Sequence, residues 1–562
     1  MKYRKILILL NRSDNLKTKA EYNKLRGGYY TSSQIAEFIT NWAINSTDVR
    51  ILEPSCGDGS FIKHTARRFK ELGAKDEDIK NNILGIELDE DEANKAKIYG
   101  PKIINSDFFT YYKEKIYMKE KFDVIVGNPP FIRYQNFNND FRKIAFDIME
   151  ELKFKPTKLT NIWIPFLVLS AYALSDNGRV GMVIPAELFQ VDYAAETRGF
   201  LSRYFERLTI VTFKELLFDD AQQEVILLLG EKKSTKKGIQ VIELGSSEEL
   251  KNLNVDDMNE YEIKELDHDN EKWIKYYLSN DEISFIRQLK NNNKLVKTTE
   301  LFDVNVGIVS GQNKFFIIDK NIVNKYDIKR HVRHVIGRAE HVKGIVFDKK
   351  SLKELDCKNK KIYMFTPENL EYDKLSDEEK KYIKFGELNK YNVGYKCRIR
   401  KLWYIVPQTW EPEAFMLRQI HTYPKMILNE TDASTTDTLY KVRFKQGVNG
   451  TRVVCAFINS LTFALGEITG RSYGGGVLTF EPGEIRKLLI PMEGSENLNI
   501  NDIDMALKNG NVEEALDMND KILLKEKLGL NESEILMLRT IWERLRDRRV
   551  NRKKRTKKVE NK

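Results

Sequence analysis

Ile51-Leu52-Glu53-Pro54-Ser55-Cys56-Gly57-Asp58-Gly59-Ser60-Phe61 leaves an apolar run, turns through two glycines and enters a helical pattern. Glycine at these positions lets the backbone pass close to a ligand, so the segment reads as a strand, a cofactor loop and the start of a helix. It has neither the Gly-Lys-Ser/Thr ending of a phosphate loop nor the three-glycine spacing of a dinucleotide loop. Outward from it, residues 31 to about 232 alternate helical periods with short apolar runs, which predicts an α/β, doubly wound sheet. Seven strands are expected, at 49–52, 83–86, 102–104, 122–126, 180–184, 208–213 and 224–229. Helices are expected over 61–72, 90–98, 162–174 and 196–205, with one more capped by Thr31-Ser32-Ser33 that lines up Ile35, Ile39, Trp42 and Ala43. The short link between the last two strands predicts an antiparallel hairpin.

Three successive strands end in an acid. Glu53 closes the first, Glu87 the second and Asp107, followed by Phe108, the third. Carboxylates at neighbouring strand ends converge on one crevice, where they can accept hydrogen bonds from ribose hydroxyls and an adenine amine. We read Glu53, Glu87 and Asp107 as one cofactor site. The fourth strand runs Phe122-Asp123-Val124-Ile125-Val126-Gly127 into Asn128-Pro129-Pro130-Phe131. Two prolines fix their own backbone and extend the residue before them, which holds the Asn128 side chain and the Asn128 and Pro129 carbonyls rigidly. Such acceptors suit an aromatic amine, whose lone pair is delocalised into its ring. With both amine hydrogens held, the nitrogen rehybridises as it attacks a sulfonium methyl, and the fixed dipoles stabilise its developing positive charge. Phe131 offers a stacking face for the base.

The bulk properties limit the remaining classes. The 562 residues are enough for two large domains, and no apolar run reaches the roughly 20 residues of a membrane span. The apolar stretch at 6–10 is too short for a secretion signal, so a cytoplasmic protein is expected. Cys56, Cys357, Cys397 and Cys455 are scattered and predict reduced thiols and no metal. His331, His334 and His341 are crowded by Lys329, Arg330, Arg333 and Arg338, which also argues against a metal. The net charge of +10 is concentrated at the end, where residues 544–562 carry eleven Lys or Arg against two acids. DNA binding therefore has to be read from local clusters.

The series Tyr29-Tyr30-Thr31, Glu53-Pro54-Ser55-Cys56-Gly57, Glu87, Asp107-Phe108 and Asn128-Pro129-Pro130-Phe131 resembles the gamma subclass, the TaqI-like group, of amino-methylating DNA methyltransferases. The resemblance implies a class I S-adenosylmethionine (SAM)-dependent methyltransferase domain that acts on adenine N6 in double-stranded DNA, with no metal, followed by a target recognition domain. It implies that Thr31 and the loop Glu53, Pro54, Ser55, Cys56, Gly57 and Gly59 meet the methionine end of SAM. Glu87 would hold its ribose, and Asp107 and Phe108 its adenine. Asn128, Pro129, Pro130 and Phe131 would hold the target base, rotated out of the duplex. This chain has Ser32 where the group often has proline, and no aromatic in Glu224-Val225-Ile226-Leu227-Leu228-Leu229, where some members carry a second one. Phe218 and Tyr193 are candidates for the other face of the base.

Three domains are expected: a catalytic domain over 1–235, a mixed α+β recognition domain over 236–494, and a helical region with a basic tail over 495–562. Within the second, the stretches 306–313, 395–404, Tyr473-Gly474-Gly475-Gly476 and 488–491 are similar to specificity domains of TaqI-like and related methylases. Lys396, Arg398, Arg400 and Lys401 beside Trp403 and Tyr404 suit phosphate contact with aromatic packing. The family setting implies a prokaryotic modification enzyme acting on nucleoid DNA, with a cognate restriction endonuclease as candidate partner. A fused nuclease is not expected, because Thr31 stands so near the start. An RNA or protein methyltransferase with an Asn-Pro-Pro-Phe site, or a DNA-binding subunit of a defence complex, stand as alternatives.

Overall fold

A computed structural model describes residues 31–217, 224–268, 271–407, 410–472 and 475–552. Tyr29, Tyr30, Phe218, Tyr473, Gly474 and the basic run from 553 onward lie outside the described residues. The chain forms two units divided between Ser279 and Asn280, with Arg552 counted in the first.

The first unit is built on eight strands: β1 (Ile51–Glu53), β2 (Ile83–Glu87), β3 (Lys102–Asn105), β4 (Phe122–Gly127), β5 (Leu174–Pro185), β6 (Arg207–Phe213), β7 (Val225–Glu231) and β8 (Gly238–Leu244). Their order across the sheet is β3-β2-β1-β4-β5-β7-β6-β8. All neighbours are parallel except β7, which runs antiparallel to both β5 and β6, as the short link before it requires. The helices are α1 (Ser33–Ala43), α2 (Ser60–Glu71), α3 (Asp76–Asn82), α4 (Glu90–Lys97), α5 (Phe108–Tyr111), α6 (Asn139–Glu151), α7 (Trp163–Tyr172) and α8 (Ala195–Tyr204). Alternation along the strands sends Ile51, Ile83, Val124 and Val183 to one face, into a core with Ile35, Ile39 and Trp42 of α1 and Phe61, Ile62 and Phe69 of α2. Helix α7 is apolar nearly all round and buried, and packs on β5. Ser32 occupies the N-cap position of α1, but its side chain makes no capping bond.

Two expectations are corrected here. The sheet has eight strands, not seven, and the expected boundary at 235 falls inside it. β8 pairs in parallel with β6 from Arg207↔Gly238 to Phe213↔Leu244, so the polar run before it is a tight return and not an interdomain linker. Chain order reverses between β1 and β4, so the carboxyl ends of these two strands frame the crevice where a doubly wound sheet takes its ligand.

The second unit is mixed α+β. Its largest sheet orders Phe302–Val306, Leu439–Phe444, Ala414–Leu417, Met426–Asn429 and Val346–Phe347. The expected separate region from 495 is part of this unit: helix Glu532–Val550 packs along Ser460–Thr469, with Trp542 fully buried against Phe463. Arg549, expected in a solvated tail, is 1% exposed. Its guanidinium binds both Glu467 oxygens, at 2.7 and 2.9 Å, and donates to the Gly476 carbonyl. Among the described residues no single helix is long and apolar enough to cross a membrane.

Candidate functional site

The loop after β1 owes its shape to its glycines. Gly57 and Gly59 have φ of +52° and +90°, and a Cβ on Gly59 would lie 2.9 Å from Ala96 of α4. Only glycine fits that combination of backbone and close packing, and it turns the chain into α2. Gly57 N–H donates to Glu87 Oε2 at 2.8 Å, which ties the loop to the end of β2. Asp89 N–H holds the other Glu87 oxygen.

Thr31, Glu53, Pro54, Ser55, Cys56, Gly57, Glu87, Asp107, Phe108, Asn128 and Pro130 line one cleft at the carboxyl edge of the sheet. Gly59, Pro129 and Phe131 are outside its lining: Gly59 is the N-cap of α2, Pro129 is buried, and Phe131 packs half-buried against the core. The cleft also takes in residues that the sequence reading missed, notably Asp58, Glu92 and Phe166. Phe166 lies in an all-apolar helix and carries no signal in sequence, yet its ring stacks on Phe108 at 5.0 Å and 16°. Asp58 stands between the two glycines, where a loop carboxylate was a readable clue.

Charge in this cleft is one-sided. Glu53, Asp58, Glu87, Glu92 and Asp107 line it, and none of its described lining residues is Lys or Arg. Glu53 is 2% exposed. Burial, then Glu87 and Asp58, push its carboxyl well above the ordinary range. Its Oε2 and the Ser55 hydroxyl are buried without a hydrogen-bond partner. Asp107 Oδ1 caps α5 through Thr110 N–H and Oγ1, and burial raises its pKa. The Cys56 thiol is pushed up by burial and by Glu53, so it stays protonated and inert. Such a cleft rejects phosphates. It fits a cationic ligand rich in donors, which describes the ammonium, sulfonium, ribose hydroxyls and adenine amine of SAM.

At its far end, Asn128 Nδ2 donates to Thr31 Oγ1 at 3.1 Å. That bond uses the donor side of the amide and orients the Oδ1 side for acceptance. Tyr193 is half-buried and gives its hydroxyl to the half-buried Glu187 carboxylate, and it is not part of the cleft lining. Phe218 is outside the described residues.

In the second unit the stretch 395–404 is a short helix, Tyr395–Arg398, followed by turns. Cys397 and Tyr404 are buried, Tyr404 OH donates to Leu370 O, and Trp403 packs on Phe315. These aromatics belong to a local core, in which the Phe315 ring that meets Trp403 stacks on Tyr382. Arg400 braces the loop at 306–313 by donating to Val309 O. Lys396, Arg398 and Lys401 are exposed, and Lys401 lies 3.0 Å from Glu371. The three histidines go separate ways: His331 to Glu379, His334 to Asp432, and His341 into a buried site that lowers its pKa. All four cysteines are free.

The strand order, with its antiparallel seventh strand, and the acidic cleft together define a class I SAM-dependent methyltransferase. A family model described as N-6 DNA Methylase matches residues 16–305, and one described as the C-terminal domain of the type II methyltransferase M.Eco57I matches 270–524. The chain belongs to the N-6 DNA Methylase family, and is a SAM-dependent enzyme that methylates adenine N6 in DNA. Among relatives, the type II methyltransferase M.AccI of Acinetobacter calcoaceticus is 25% identical, over 90% of this chain and 94% of its own. M.HindII of Haemophilus influenzae is 23% identical, over 57% and 60%. The solved structure of the type IIL restriction-modification enzyme MmeI in complex with DNA shares the fold, with a TM-score of 0.59, 12% identity, and coverage of 92% of this chain and 75% of that one. The RNA, protein and non-catalytic alternatives are not favoured by these matches.

Proposed function

We propose that the chain is a site-specific modification methylase in which the first unit holds SAM and a flipped adenine while the second grips the duplex. The observation that carries the reading is the convergence of Glu53, Glu87, Asp107 and Asn128 on one cleft free of cations. In this reading Thr31, Pro54, Ser55, Cys56 and Gly57 surround the methionine end, Glu53 receives the ammonium, Glu87 the ribose, and Asp107 with Phe108 the adenine. SAM, when bound, supplies an electrophilic methyl group. Asn128 Oδ1 and the Pro129 carbonyl accept the two hydrogens of the target amine, Thr31 keeps the Asn128 amide turned that way, and Phe131 stacks on the base. The stacked pair Phe108–Phe166 closes the adenine end against water.

Exposed Lys396, Arg398 and Lys401 contribute phosphate contacts, with Arg400, Trp403 and Tyr404 shaping their support. The enzyme acts in a prokaryotic cytoplasm on nucleoid DNA and protects it from a cognate restriction endonuclease. Support for this setting is the similarity to type II methyltransferases along nearly the whole chain. Expression in a methylation-free host, followed by sequencing of modified bases, tests the reading. N6-methyladenine at one fixed motif is expected; soluble, folded protein with no such mark would sink it.

A further inference from the structure

Lys441 and Arg443 stand two apart on the strand Leu439–Phe444, so their side chains leave the same face. Both meet the ring of Trp410: Lys441 Nζ lies 4.7 Å and Arg443 Cζ 4.5 Å from its centroid. Arg333, on the strand Val332–Ile336, adds a third positive charge that acts on Lys441. Arg333 has its own counter-charge in Glu411 at 2.9 Å. Among the described residues neither the Lys441 nor the Arg443 side chain forms an ion pair or hydrogen bond, although Lys441 is 1% exposed. Burial, then Arg333 and Arg443, hold the Lys441 ammonium down at about 8.

Lys441 and Arg443 share one indole and repel each other, and the acid cross-strand from Arg443, Asp303, is already held by Lys445. A cation–π contact offsets only part of such a cost. An anion bound beside them would offset the repulsion and restore the ordinary basicity of Lys441. The pairing of a planar guanidinium with a point ammonium matches the two non-bridging oxygens of a phosphodiester, and the indole edge gives a sugar an apolar wall. Exposed Arg443 leaves the seat open to solvent. The sites expected from sequence do not include it, since Lys396 to Lys401 lie on a different segment packed against the loop at 306–313.

We propose that Lys441, Arg443 and Trp410 form a seat for one backbone phosphate of the DNA duplex. This rests on the reading of the second unit as the part that grips DNA. The test uses the full chain with SAM and a fluorescent duplex of mixed sequence, measuring the binding constant over a range of salt concentrations. Arg443→Met and Lys441→Met are compared with wild type, and thermal melting verifies the fold. Arg443 is exposed, so its variant serves even where Lys441→Met does not fold. Each loss should flatten the slope of log K against log salt by about one and weaken binding roughly tenfold at low salt. The loss should be equal on methylatable and unmethylatable duplexes, as a phosphate contact requires. Lys441→Arg should keep the slope. Folded Arg443→Met with wild-type slope and affinity would overturn the seat alone. Wild-type protein with no salt-dependent duplex binding would overturn both the seat and the reading on which it rests.

Discussion

The acidic cleft at the carboxyl edge of the first sheet and the Trp410 cluster are electrostatic opposites. The first gathers five carboxylates and no base among its described lining residues, and leaves Glu53 Oε2 and Ser55 Oγ without partners. The second gathers Lys441 and Arg443 on one ring, and among the described residues neither side chain has an ion-pair partner. Uncompensated charge in a folded interior costs stability, so neither arrangement is explained by folding. The Arg549–Glu467 pair supplies the contrast. It is buried, at 2% side-chain exposure for each partner, but it is internally balanced. On the proposed reading an unbalanced site is one where a ligand completes the charge, whereas in a balanced one the chain completes itself.

The contrast can be broken in four places. Asn128→Ala should lower the rate of methyl transfer by roughly 10³, on the scale of deleting a preorganised dipole at a reacting centre. SAM binding by calorimetry should stay within about threefold; an equal loss of both would make Asn128 a structural residue. Arg549→Met should destabilise the second unit by about 3 kcal/mol, because it strands the Glu467 carboxylate in the interior. Chemical denaturation reads this loss, and an unchanged midpoint would remove the pair from the balanced class.

Glu53→Gln should weaken SAM by roughly 30-fold, the scale of one charged hydrogen bond. It should also raise the melting temperature of the ligand-free protein. The raised carboxyl of Glu53 adds stability that is present in acid and lost as pH rises through its folded pKa, so the neutral amide relieves a cost felt at neutral and alkaline pH. For the same reason SAM affinity should fall as pH drops through that raised value, and the variant should lose this dependence. A Glu53→Gln protein that binds SAM normally would detach the acidic cleft from the cofactor. The smallest effect is expected for Thr31→Val, about fivefold on kcat from a lost hydrogen bond of about 1 kcal/mol. Thr31→Ser should restore it, whereas a bulk packing role would leave serine as poor as valine.

Local chemistry was legible in the sequence and long-range pairing was not. The acids at Glu53, Glu87 and Asp107 and the Asn128 loop could be placed because each closes its own strand, and alternation of strand and helix implies that such ends share an edge. The swap of β6 and β7 across the sheet was visible only as a short link. β8 was read as the start of another domain because the polar run before Gly238 has the composition of a linker, and nothing local says that the strand returns to β6. Trp403 and Tyr404 beside four basic residues looked like a surface, yet the rings turn inward. Trp410 and Lys441 lie on separate segments, and only the folded second unit puts them on the same ring.

The cysteines carry a practical consequence. Cys56, Cys397 and Cys455 are buried, and burial drives all three thiols toward the unreactive protonated form. Cys357, at the end of the helix Lys349–Cys357, is exposed. A maleimide dye therefore has one natural address, in the second unit and remote in sequence from the methyl-transfer loops. The wild-type protein can carry a single fluorophore as it stands, with no cysteine removed and none introduced.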